Sequence, residues 1–575
     1  MIWECMEVFE KLLKEKENLV IENYLPKDGD YYLVHMAEEK WEIETPVSVF
    51  YDKKKGVVVG ETDIRYDKIC FLDYCSKLLD MNKPIDSKKI IHSNNYLSFF
   101  IKKESLFNGK LTQKIIDGYY QILEDPYLKY RSGKNRELYQ ETEELCGKID
   151  KDRLHRIQQW VKENIFRILE ETKDKNYLKL FFVLEDWDET RQQFLLEKNR
   201  YLIPNIYNNS KYNENINGKI YGLPNNNLQM NDKKPYLANH SRKIKVPFLL
   251  DREAVLRQAE FYDYLEGFAA KGRYNIYIDT AENKIYPCKT GENPPPGMTG
   301  YYLRLQKGKE VEIQSVDTVV YYNENMKPEF YYRMYIRAEE SERYGMVNKR
   351  SALERLIDEV LFNNMLIGNY FTRPEDLKIA DAILETQILA LRERLFSWFH
   401  KNIGVDIEEE LLSCAWKLAV NSLRKGYWKK VRDQMNLIWS LEEYFHPEKG
   451  RGKRMQEIER RLRQCIDEKD WDFESADEFY YAVGQLMTYY MGKSKAYKKA
   501  FSAANSIINA GNPEYIKQKL SELFVKYNYD IELSDRRVRN LISHVMGYRT
   551  DAPVDKTMII TGLTADNMVY QKKEV

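Results

Sequence analysis

Apolar residues recur at helical spacing through most of the second half of the chain. In DAILETQILALRERLFSWFH, Leu384, Ile388, Leu391, Leu395 and Trp398 follow one another in steps of four and three. EEELLSCAWKLAV repeats the device with Ile407, Leu411, Cys414 and Leu418, and EFYYAVGQLMTYY with Phe479, Val483, Leu486 and Tyr490. Such steps put one apolar stripe on each helix. Start signals accompany them. Thr372 to Glu375 and Ser475 to Glu478 read as capping boxes, and Asn512 reads as an N-cap followed by Pro513 at the first helical position. Several amphipathic helices with short links predict an all-α helical bundle over residues 349–575.

The first part of the chain is patterned differently. MIWECMEVFEKLLKEKENL is an amphipathic helix, and YYLVHMAEEKWEIETPVSVFYDKKKGVVVG reads as short strands joined by charged turns. Residues 112–172 are mostly helical in pattern, and KLFFVLED (179–186) is an apolar run suited to a buried strand. Residues 199–241 are rich in Asn and Tyr and have little periodicity. YNIYIDTAENKIYPC and YYLRLQKGKEVEIQSVDTVVYY read as hairpins, the second turning at Lys307-Gly308. ENPPPG between them cannot join a central strand and is expected to be a surface connection. The expected fold class is therefore α+β, with two domains. A mixed α/β body with antiparallel hairpins spans 1–348, and the helical bundle spans 349–575.

Composition narrows the function classes. Lys plus Arg and Asp plus Glu are both 90, so any basic surface must be local. No apolar run approaches the roughly 18 to 20 residues that cross a bilayer, and the opening helix does not have the form of a signal peptide. The expectation is a cytoplasmic protein with no membrane partner. The seven cysteines form no CxxC pair and do not read as a disulfide framework.

Catalytic chemistry is thinly represented. The seven histidines include no pair at metal-ligand spacing. GKS at 492–494 matches the end of a phosphate-binding loop, but the glycine required five residues earlier is Met487. Asp-Trp-Asp occurs at 186–188 and 470–472. Asp186 and Asp188 follow a strand, so a metal-dependent nuclease stands as an alternative, although a two-metal site needs acids from several elements. The expectation is a protein that is not an enzyme, with no catalytic residues, no metal and no cofactor. A scaffold or RNA-binding protein is a further alternative.

Two kinds of surface remain. The stretch GLPNNNLQMNDKKPYL (222–237) crowds amides and lysines between prolines. Asn and Gln present a donor and an acceptor together to a base edge, and lysines hold phosphates. Asn also tolerates left-handed turns, so a solvated loop gives the same composition. RKGYWKKVR (424–432) mixes cations with Tyr427 and Trp428, and KGRGKR (449–454), KSKAYKK (493–499) and RRVR (536–539) are further local basic stretches. Cations for phosphates with aromatics for stacking are what a single-strand groove requires; solvated helix faces share that pattern.

GLPNNNLQMNDKKPYL resembles the central motif of the large subunit of type I-B CRISPR–Cas surveillance complexes (Cascade), the Csh-type large-subunit family. FYYAVGQLMTYYMGKSKAYKKAFSAANSIINAGNPEYIKQKLSELFVKYNYDI, NLISHVMGYRT and MIITGLTADNMVY resemble that family's C-terminal helical domain in content and order, and TGYYLRLQKGKEVEI fits as well. The resemblance covers residues from about 178 to the end and is patchy before that. It implies a non-catalytic subunit that inspects the protospacer-adjacent motif of double-stranded DNA, aids duplex opening and R-loop formation, and recruits a helicase-nuclease. Its implied partners are target DNA, the guide RNA complex, and the Cascade backbone and small subunits. It makes Asn225, Asn226, Asn227, Gln229, Asn231, Lys233 and Lys234 the candidate contacts to the flanking motif. The helical domain resembles the small subunit, which implies displaced-strand contacts at Arg424, Lys425, Lys429, Lys430, Lys493, Lys495, Arg536 and Arg537. In this family the domain is also made from an internal start, for which Met346 is the candidate position beside its reading as an ordinary methionine.

Overall fold

The computed structural model describes the chain outside residues 39, 53, 80, 132, 169–174, 209, 226–248, 309, 339–342, 404–405, 469–471, 495–501 and 572–575, and also outside the side chains of 449, 451–453 and 502–503. The fold is α+β. Two units divide it: residues 1–289 with 299–318, and residues 290–298 with 319–575. No helix among the described residues is long and apolar enough to cross a membrane.

The first unit opens with α1 (Ile2–Glu15), α2 (Leu19–Asn23), β1 (Gly29–His35), β2 (Glu42–Ile43), β3 (Val47–Asp52) and β4 (Val57–Val59). Next come α3 (Tyr66–Ser76), β5 (Ser98–Lys102), α4 (Glu104–Phe107), α5 (Gln113–Glu124), α6 (Gly133–Cys146) and α7 (Lys151–Asn164). Then follow β6 (Tyr177–Val183), α8 (Trp187–Leu202), β7 (Glu214–Ile216), β8 (Lys219–Gly222), β9 (Leu250–Asp251) and α9 (Arg252–Ala270). The unit ends with β10 (Asn275–Asp279), β11 (Lys284–Cys288), β12 (Gly300–Lys307) and β13 (Val311–Val319).

The main sheet has the order β4-β3-β1-β6-β5, with β2 pairing β1. Its centre is the parallel pair β1 and β6, in register from Gly29↔Tyr177 to His35↔Val183. The two strands are buried on both faces, which is why their sequences are largely apolar instead of alternating, Lys179 being the buried exception in β6. Gly29 is needed at the head of this pair, because a Cβ there would lie 2.6 Å from the Tyr177 carbonyl oxygen. Both predicted hairpins form, in a four-stranded sheet of order β11-β10-β12-β13. One apolar core joins the two sheets, with Phe9 of α1 against Phe261 and Tyr264 of α9.

The second unit begins with the hairpin β14 (Asn325–Tyr332) and β15 (Gly345–Lys349), earlier than the change of sequence pattern at 349. It continues through α10 (Arg350–Val360), α11 (Ala382–Lys401), α12 (Glu408–Arg424), α13 (Trp428–Phe445), α14 (Arg451–Asp467) and α15 (Ala476–Gly492). It closes with α16 (Ser502–Ile508), α17 (Pro513–Tyr527), α18 (Arg536–Gly547) and α19 (Lys556–Thr564). ENPPPG is more than a surface connection. Pro294 is buried, Asn293 donates to Glu324, and Gly297 N–H bonds the Tyr322 carbonyl at 2.8 Å.

The predicted stripes of α11 and α12 are buried. Ser475 caps α15 by accepting from Glu478 N–H, and Asn512 caps α17 ahead of Pro513. Thr372 caps nothing: its hydroxyl bonds the Gly368 carbonyl, only a short 3-10 turn forms at Pro374–Asp376, and the long helix starts later, under Asp381. Helix α15 also departs from expectation. It is buried almost all round instead of along one stripe, because neighbouring helices cover each of its faces.

Candidate nucleic-acid interface

The Asn-rich stretch issues from a small three-stranded sheet of order β7-β8-β9. Strands β7 and β8 turn at Asn217-Gly218, both with positive φ, the conformation an Asn-Gly hairpin turn requires. Strand β8 pairs with β9, Tyr221 facing Asp251 and Gly222 facing Leu250. The strand that ends at Gly222 and the strand that begins at Leu250 are therefore neighbours in one sheet. Asp251 then caps α9 by accepting from Ala254 N–H at 2.9 Å.

Tyr207 clamps this stem. Its hydroxyl lies 2.8 Å from the Ile220 carbonyl oxygen and 3.0 Å from that of Leu250, so one buried group ties the outgoing strand to the returning one. Burial pushes its pKa above the ordinary tyrosine value. Gly222 permits the approach, since a Cβ there would meet the Tyr207 ring at 2.5 Å. Leu138, Ile206, Ile220 and Val255 pack round it as a separate small core. Past Gly222 the chain is still held: Tyr207 and Pro224 form a bridge, Asn225 N–H donates to the Ile206 carbonyl at 2.6 Å, and Asn225 Nδ2 donates to that of Asn205 at 3.3 Å. Asn225 is thus an anchor of the stem. Asn226, Asn227, Gln229, Asn231, Lys233 and Lys234 lie outside the described residues.

Asn225 also lines a cavity of about 340 Å³ in the same unit. Its floor is a buried polar cluster. Lys179, inside β6, bonds Asp73 at 2.5 Å and the Tyr31 hydroxyl at 3.1 Å, and Tyr24 donates to the same carboxylate at 2.9 Å. Burial pushes the Lys179 ammonium below its ordinary range, against the pull of Asp73. Lys77 bonds Asp263 at 2.7 Å with Glu266 at 3.6 Å. Burial opposes its charge, but the two carboxylates outweigh burial and hold its pKa above the ordinary lysine value. Lys198 stands 4.0 Å from the centre of the Tyr74 ring. The cavity was not anticipated from the sequence. The signal present was a lysine set within the apolar run of a buried strand; the Asn217-Gly218 turn likewise announced the stem.

The cationic positions of the second unit differ in setting. Arg424 and Lys429 are exposed at the α12–α13 turn beside Tyr427 and Trp428, and Arg536 is exposed at the start of α18. Lys425 pairs with Asp381 at 2.6 Å, Lys430 donates to Asn363, and Lys493 stands 5.0 Å from the Tyr489 ring centre. Arg537 pairs with Asp467 at 2.6 Å and reaches the Met568 and Gln571 carbonyls, so it braces α18 against the C-terminal segment. Lys495 lies outside the described residues.

Asp186 serves the fold directly by capping α8, where it accepts from Glu189 N–H at 2.7 Å. Among the described residues no three His, Cys, Asp or Glu side chains gather as metal ligands do. The seven cysteines are buried thiols, and burial pushes Cys5, Cys75 and Cys414 up to about 12. Comparison of the chain with family models, with curated proteins and with solved structures finds no match.

Proposed function

We propose that the chain is the non-catalytic large subunit of a type I-B CRISPR–Cas surveillance complex, a cytoplasmic assembly built on a guide RNA with backbone and small subunits. In that role it reads the short motif that flanks a target in double-stranded DNA and aids opening of the duplex. It then presents the displaced strand to a recruited helicase-nuclease. Guide pairing carries the target sequence, and the protein reads only the flank and duplex shape.

One observation supports this reading above the rest. The stretch that carries the resemblance, GLPNNNLQMNDKKPYL, starts on a strand whose partner receives the chain at Leu250. A segment fixed at both ends by one clamp suits base reading, because its ordering cost is partly met before DNA arrives. Asn225 holds the base of the segment. Asn226, Asn227, Gln229 and Asn231 are assigned to base edges, and Lys233 and Lys234 to phosphates. Arg424, Lys429 and Arg536 are assigned to the displaced strand.

The test is purification of the chain with the products of its neighbouring reading frames. A guide RNA of uniform length should accompany it. In the assembled complex, Asn226→Ala or Asn227→Ala should reduce discrimination between correct and altered flanks. Lys233→Ala should weaken binding to all duplexes and flatten the salt dependence. Purification without backbone subunits or guide RNA would refute the assignment to this complex. Unchanged flank discrimination in both Asn variants would refute the site.

A further inference from the structure

The cavity beside Asn225 holds three kinds of group that recognise a nucleotide, and the flank-reading role of residues 226–234 uses none of them. The first is amides: Asn82, Asn94 and Asn225 line it. Asn94 is 3% exposed; its Nδ2 donates to the Lys77 carbonyl at 2.5 Å, which fixes the amide, and its Oδ1 has no partner among the described residues. The second is aromatic walls, among them Tyr177 and Tyr262. Tyr262 is 4% exposed, and its hydroxyl is also unbonded among the described residues. Buried polar atoms are nearly always paired, so two orphans lining one cavity call for a ligand that pairs them. The third is a spare cation. Lys77 and Lys179 are matched by carboxylates, but Lys198 makes no ion pair among the described residues. The volume of about 340 Å³ lies within the roughly 300–1,000 Å³ range of small-molecule sites.

We propose that this cavity binds one nucleotide unit, its phosphate at Lys198 and its base edge at Asn94 and Tyr262. Asn94 Oδ1 can accept from an exocyclic amine of adenine, cytosine or guanine or from the ring N–H of uracil or thymine. A free nucleotide and a single unstacked nucleotide of a strand present the same chemistry. The inference concerns the isolated chain and does not depend on membership of an RNA-guided complex.

The purified full chain is titrated calorimetrically with AMP, CMP, GMP and UMP, and by anisotropy with a short single-stranded oligonucleotide of mixed sequence. A second arm uses the same oligonucleotide carrying photoreactive bases and maps the cross-linked peptides. Saturable binding of a monophosphate, weakened about tenfold by Lys198→Gln and several-fold by Tyr262→Phe, supports a free-nucleotide site. Binding of the oligonucleotide alone, with cross-links to the peptides of Asn94 or Tyr262 that Lys198→Gln abolishes, supports a strand nucleotide. Lys114→Ala, an exposed position on α5 that does not line the cavity, should leave either result unchanged. Lys198 is half-buried and Tyr262→Phe preserves shape, so circular dichroism of both variants should match the parent. The proposal is overturned if neither probe binds at the cavity, or if both variants bind like the parent.

Discussion

Gly484 on α15 and Gly562 on α19 let two helix backbones touch, and replacing either by alanine should part them. A Cβ at Gly562 would lie 2.0 Å from the Tyr481 carbonyl oxygen, and one at Gly484 would lie 2.2 Å from that of Ile559. Real Cβ atoms keep at least 3.0 Å from such neighbours, and backbone cannot rotate away as a side chain can, so the helices must separate by about 1 Å. A gap of that size forfeits about a quarter to a half of the dispersion energy across the interface. It also stretches two hydrogen bonds, Gln485 Nε2 to the Gly562 carbonyl and Thr488 Oγ1 to that of Leu563, each 2.6 Å. Overpacking costs about 1–3 kcal/mol and each lost bond about 1 kcal/mol, so Gly562→Ala should cost about 3–5 kcal/mol. The double variant should cost less than the two singles together, because the second alanine enters an interface already opened. The chain has two units, so no single unfolding midpoint describes it. The measurement is therefore hydrogen exchange of peptides covering α15 and α19. Gly118→Ala is the control: it lies inside α5 with no atom within 4 Å of the added Cβ, and should stabilise by about 0.5–1 kcal/mol. Protection of α15 and α19 unchanged in Gly562→Ala, within about 0.5 kcal/mol, would refute the close-contact reasoning.

Three further outcomes are expected. Lys179→Met leaves Asp73 buried without its cation and should destabilise the first unit by about 3–5 kcal/mol in urea unfolding, while adding Asp73→Leu should recover most of that loss; equal stability of the single and double variants would contradict the pairing. Tyr207→Phe removes the hydroxyl that joins β8 to β9 and should cost about 1–3 kcal/mol locally, read as faster tryptic cleavage after Lys219 and Arg252; unchanged cleavage at both sites would count against the clamp. The Arg65 side chain and N–H hold Asp63 down to about 2, so its stabilising contribution is complete above the unfolded value of about 3.9 and is lost as pH falls through about 2. A carboxyl-carbon NMR titration should find that midpoint and see Arg65→Ala raise it towards the ordinary range.

Much of the scaffold was readable in the chain. Helical steps marked α11 and α12, Ser475 and Asn512 marked two helix starts, and alternating residues marked the hairpins of β10 to β13, because these signals act over a few residues. Failures occurred where a partner outside the recognised pattern outranked it. Thr372 met its box pattern but turned to Gly368, and ENPPPG, though barred from a central strand, was pinned by Tyr322 and Glu324. The candidate interface shows the same divide. Its amides and lysines were legible as chemistry, and Arg537 was legible as a cation, yet only the fold revealed that Asp467 claims Arg537 and that Asn225 anchors the stem.

The sequence by itself determined the α+β class, the helical second half and the unusual run 222–237, since periodicity and composition are properties of neighbouring residues. Tertiary structure alone decided that β8 and β9 meet under Tyr207, that Lys179, Lys77 and Asp263 line one cavity, and that Gly484 faces α19 while Gly562 faces α15. Those are encounters between residues tens to hundreds of positions apart, and they are fixed by burial and hydrogen bonding that no local spacing encodes.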